Sequence, residues 1–116
     1  MRKQMIENAA YDVATQVRAV EDSIDSTLTE IAELQQRLLR ARSAAGVSVV
    51  TGQGALEQLA FALQGLVSAR ANIGNCHCAL VDAKQLVPGL RTVSFGDEGE
   101  CPPPGGIVEP GLRVVA

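Results

Sequence analysis

The chain has 116 residues, a formal net charge of -3 and 47% hydrophobic content of which little is aromatic, so it holds one small domain whose core must come from Ala, Val, Leu and Ile, a composition that suits helices. One tyrosine, two phenylalanines and no tryptophan leave little material for stacking bases, and an acidic chain repels a phosphate backbone, which excludes nucleic-acid binding. No apolar run is long enough to span a membrane and Met1-Arg2-Lys3 leads into polar, amphipathic sequence, so neither a membrane partner nor a signal peptide is expected; the expected place is the cytoplasm, with the three cysteines reduced.

Residues 3 to 44 predict one long helix. Position a of a heptad register holds Ile6, Val13, Val20, Thr27, Leu34 and Ala41, and position d holds Ala10, Val17, Ile24, Ile31, Leu38 and Ala45. Acidic residues occupy the outer faces, and Arg37, Arg40 and Arg42 gather in the last turns, where cations complement the helix dipole. Without a proline to interrupt it, a helix of this length extends roughly 60 Å, which predicts an elongated shape.

Ala44-Ala45-Gly46 ends this helix, Val47 to Val50 crosses over, and Thr51 is the expected N-cap of a second helix that runs from about Ala55 to Val87. So short a connection makes the two helices antiparallel neighbours, a coiled-coil-like helical hairpin over residues 1–87. The second helix has a seam at Leu56, Leu59, Leu63, Leu66, Arg70, Ile73, His77, Leu80, Lys84 and Val87 and a second apolar stripe at Ala60, Val67, Ala71, Gly74, Cys78 and Val81. A helix apolar on so many sides exceeds what one partner covers, so the fold class read here is all-α, with hairpins assembled into a homo-oligomeric bundle. Gly65 and Gly74 each cost about 1 kcal/mol against alanine within a helix, which implies another backbone passing close by.

Pro88-Gly89 stops the second helix and opens an extended C-terminal arm over residues 88–116. Leu90 to Phe95 alternates like a short strand, Cys101-Pro102-Pro103-Pro104 lies in an acidic, proline-rich loop, and Glu109-Pro110-Gly111 suits a small hairpin. Such an irregular or short-β tail cannot form a core by itself, and its apolar residues favour an arm laid across a neighbour.

The candidate binding residues are Arg70, His77 and Lys84, seven apart and therefore on one edge of the helix, with Arg91 following. Cations spaced beside an apolar surface suit a phosphorylated or carboxylated ligand. The competing reading is an ion-pair ladder across the hairpin, which sets Arg70 opposite Thr27 and near Asp25, His77 near Glu21 and Lys84 near Asp12. No metal is expected: Cys76 and Cys78, two apart on a helix, cannot face one ion, and no second pair completes a tetrahedron. Cys76 and His77 diverge by about 100° and make no nucleophile–base pair. The sequence offers no catalytic set and no cofactor motif, so no enzyme is expected.

The run Ala79-Leu80-Val81-Asp82-Ala83-Lys84, leading into Leu90-Arg91-Thr92-Val93 and a glycine- and proline-containing tail, resembles small helical-hairpin accessory proteins of tailed phages. The resemblance covers roughly residues 70 to 104. It implies one of two roles: a multimer that sequesters cyclic nucleotide or ADP-ribose-derived immune messengers in the host cytoplasm, or a virion or lysis-associated component. On this reading the partners are further copies of the chain and an anionic small molecule. The four cations rest on helical spacing, since no family motif carries them.

Overall fold

The computed structural model describes residues 2–95 and residue 101. Two helices, α1 (Arg2–Ala45) and α2 (Gln53–Lys84), make up the regular structure, and there is no strand among the described residues. None of these helices is long and apolar enough to cross a membrane. The chain forms a helical hairpin that divides into two compact units, a loop unit (Thr15–Gly74) and a tail unit (Met1–Ala14 with Asn75–Ala116).

In the loop unit, the start and stop signals act as local chemistry requires. Gly46 takes the left-handed φ of 65° and donates its N–H to the Ser43 carbonyl at 3.1 Å, a glycine ending for α1. The crossover tightens through Thr51 N–H to the Ser48 carbonyl at 3.0 Å, while the Ser48 hydroxyl accepts from Val50 N–H. The first carbonyl of α2 to accept a helical bond is that of Gly52, from Leu56 N–H at 3.1 Å, so Gly52 and not Thr51 is the N-cap. Thr51 is already committed to the preceding turn.

Helix pairing in this unit follows the apolar pattern with a drift. Val17, Val20, Ile24, Ile31 and Leu38 of α1 are half-buried with Leu56, Leu59, Leu66 and Ile73 of α2, yet Thr27, Leu34 and Ala41 face solvent and Leu28 takes their place. A straight α-helix rotates by about 20° per heptad relative to a strict 3.5-residue repeat, which carries the later a positions out of the contact. No residue of the loop unit is buried.

The tail unit has the only buried residues among those described: Leu90 and His77, each 5% exposed, and Lys84, 8% exposed. After α2 the chain winds on through tighter i→i+3 bonds, Gln85 to Asp82, Leu86 to Ala83 and Val87 to Lys84, the continuation that the heptad pattern extended to Val87. Val87-Pro88-Gly89-Leu90 then forms a turn closed by Leu90 N–H to the Val87 carbonyl, with Gly89 at φ 92°, the positive value that the third position of a type II turn requires. A second turn, Val93 N–H to the Leu90 carbonyl, follows at once. The expected strand over Leu90 to Phe95 is therefore two turns and an irregular segment: a strand needs an edge to pair with, whereas here Leu90 is driven inward onto the helices. The expected hairpin at Glu109-Pro110-Gly111 lies outside the described residues.

Candidate functional site

The four candidate cations fall in different settings. Arg70 belongs to the loop unit. Its Nε donates to Asp25 Oδ1 at 2.7 Å, and both side chains are more than half exposed. This is the rung that the ladder reading expects, with Asp25 rather than Thr27 taking the arginine; Thr27 turns its hydroxyl to the Ser23 carbonyl instead. The Arg70 hydrogen bond holds the Asp25 carboxyl below its ordinary pKa, slightly opposed by desolvation and reinforced by the guanidinium charge, and Asp25 in turn raises that of Arg70. The Glu21 carboxylate acts on the Arg70 guanidinium in the same direction, as a smaller influence.

His77, Lys84 and Arg91 belong to the tail unit. Lys84 donates from Nζ to the Val93 carbonyl at 2.6 Å, and the same ammonium sits 5.5 Å from the centre of the Phe95 ring, within cation–π range. Phe95 in turn tilts against Tyr11, ring centres 6.2 Å apart. Arg91 reaches back from the turn and donates Nε to the Gln85 carbonyl at 3.1 Å, satisfying a carbonyl just past the helix end. Residues 85–95 thus form a strap over the end of α2. Lys84 fastens it from below, Leu90 is its buried plug, and His77 lies buried in the same unit.

One fastener was not legible in the sequence. Cys78 and Cys101 form a disulfide with their Cα atoms 5.5 Å apart, while Cys76 is an exposed free thiol. The expectation of three reduced cysteines is corrected accordingly. Composition and compartment suggest the redox state of a thiol, but they cannot see a strap that returns the chain to α2 and sets a second sulfur within bonding reach. Phe95 and the Val93 carbonyl were missed for a related reason: their meeting with Lys84 depends on the two successive turns, and only Pro88-Gly89 announces the first of them.

A different surface is open in the loop unit. A mostly apolar hollow of about 210 Å³ is lined by Ile31, Leu39, Leu56, Leu59 and Leu63 with Gln35 among them, and Phe61 and Val67 of α2 stand 66% and 53% exposed. Adding a Cβ at Gly65 or Gly74 would meet nothing within 4 Å among the described residues. No known family model matches the chain, and no curated protein or solved structure is similar to it.

Proposed function

We propose that the chain is a non-enzymatic, self-associating module that holds an anionic, nucleotide-like ligand, a cyclic nucleotide or an ADP-ribose-derived messenger, where copies meet, in the manner of small phage-encoded sequestering proteins. The observation that carries the association is the loop unit's lack of any buried residue, with Leu34, Leu39, Phe61, Leu63 and Val67 left exposed. Apolar area of that extent on a soluble protein normally marks an interface. Support for an anion comes from Arg70, a guanidinium 59% exposed at the surface even while its Nε bonds Asp25.

A second reading, a structural assembly component without a small ligand, is favoured by the internal use of Lys84 and Arg91, whose hydrogen bonds go to Val93 and Gln85. Both readings require association, which sedimentation velocity at micromolar concentration tests: a dimer or larger is expected, and a stable monomer removes both. The two part on the ligand. Purified protein that carries nucleotide absorbance, or a melt shifted upward by a cyclic nucleotide or an ADP-ribose derivative, supports sequestration; a flat screen across both classes leaves the structural reading.

A further inference from the structure

We infer that the Cys78–Cys101 disulfide is a reducible latch on the strap, so that thiol–disulfide exchange switches the tail unit between a closed state, in which Lys84 is held under the strap, and an open one, in which the Lys84 ammonium reaches solvent. Three observations meet here. The disulfide joins α2 to the chain beyond the strap, closing a loop that contains Lys84, Leu90, Val93 and Phe95. Both of its cysteines are half-buried and not sealed in a core, so a reagent can approach the sulfurs. The strap's other described fasteners are local: the buried Leu90, the Lys84 bond to Val93, the Arg91 bond to Gln85, the Phe95 contacts and a series of single-turn backbone bonds.

Opening a closed loop returns conformational entropy to the segment inside it, which weakens every contact that depends on the segment staying near the helix. The chemistry balances with a dithiol reductant. One thiolate of the reductant attacks a sulfur of the Cys78–Cys101 bond, which breaks, giving a mixed disulfide and a protein thiolate; the second reductant thiolate displaces the remaining protein sulfur. Two electrons and two protons pass to the protein, which ends with two thiols, and the reductant ends as its own disulfide. A disulfide oxidant such as oxidised glutathione reverses the step. Cys76 takes no part, since it lies across the helix from Cys78.

The consequence for ligand binding rests on the anion reading above, but the latch itself does not, and its test contains no ligand. The full chain carrying Cys76→Ser is prepared oxidised with oxidised glutathione and, separately, reduced with dithiothreitol. The sequence has two lysines and the other, Lys3, lies beside Gly89 of the strap, so an added lysine-containing peptide serves as the reference for acetylation of Lys84. On reduction, amide exchange across 85–95, including the Leu90 and Val93 N–H groups, should rise at least about tenfold, and Lys84 acetylation relative to that peptide should rise with it, while exchange across 15–74 stays as it was. Adding Cys78→Ser and Cys101→Ser should give the open pattern under oxidising conditions. The latch is overturned if strap exchange and Lys84 labelling are equal in the two redox states, if two free thiols persist after oxidation, or if reduction loosens 15–74 equally and the bond proves to be a staple for the whole fold.

Discussion

The two units of this chain solve the same problem, a helix pair too thin to enclose a core, by opposite means. The tail unit folds the chain back over its helices and gains three buried groups, two of them polar. The loop unit has only a seven-residue connection between its helices, so neither α1 nor α2 has a third element within the unit to cover its outer side. Burial therefore depends less on how apolar a helix is than on whether the chain supplies a lid. By sequence α2 is the more hydrophobic helix and its centre the most continuous apolar stretch, yet its buried positions are His77 and Lys84 near its end.

That contrast can be broken most decisively at Leu90. Leu90→Ala should cost about 2–5 kcal/mol of tail-unit stability, read as lost amide protection over 85–95, because a buried leucine leaves a cavity. Leu63→Ala in the loop unit, at a position 38% exposed, should lie within about 0.5 kcal/mol in dilute protein, the usual range for surface substitutions; equal losses would show that the units are not differently packed. Lys84→Met comes next, with an expected cost of about 1–3 kcal/mol by urea denaturation, since it leaves the Val93 carbonyl without its donor. Gly65→Ala sharpens the comparison from the other side. With open space beside Gly65, the isolated chain should gain up to about 1 kcal/mol of helix stability, and any accompanying loss of association by sedimentation locates a neighbouring copy against that face.

The smallest effect belongs to the exposed Asp25–Arg70 pair. A carboxylate whose folded pKa is depressed contributes stability that is present above its unfolded value and lost as pH falls through the folded one. The contribution should therefore be whole at pH 7 and disappear below the ordinary aspartate value of 3.8. Arg70→Met should change the melting temperature little, and the difference should vanish at about 1 M salt, where exposed charges are screened. A large, salt-insensitive loss would mean that the pair is buried in the assembled protein.

Much of the hairpin is readable from the residues alone. The apolar period of α1, the glycine at 46 and the short connection suffice for two antiparallel helices, and that register places an acid beside Arg70. The N-cap was misplaced by one residue because Thr51 and Gly52 compete for it, and the crossover turn claims Thr51. The heptad seam was drawn too strictly, since Leu28 is half-buried where the strict repeat expected Leu34, which is exposed. The candidate cations were identifiable by spacing, but the fate of His77 and Lys84 was not. Lys84 is held by a strap whose path depends on successive turns and on a cysteine pair separated by 23 residues.

The seven-residue connection also governs how the loop unit should form in time. Leu39 and Leu56, which line one hollow beside it, close a small loop, whereas Asp25 and Arg70 are 45 residues apart in sequence. The entropy of bringing two points of a chain together grows with the length between them, so the helices should zip from the connection outward, each rung shortening the loop left for the next. Substitutions at Leu39 or Leu56 should then slow folding, while those at Asp25 or Arg70 should chiefly speed unfolding. Within the loop unit, the rung at Asp25 and Arg70 should therefore open before the contacts beside the glycine turn.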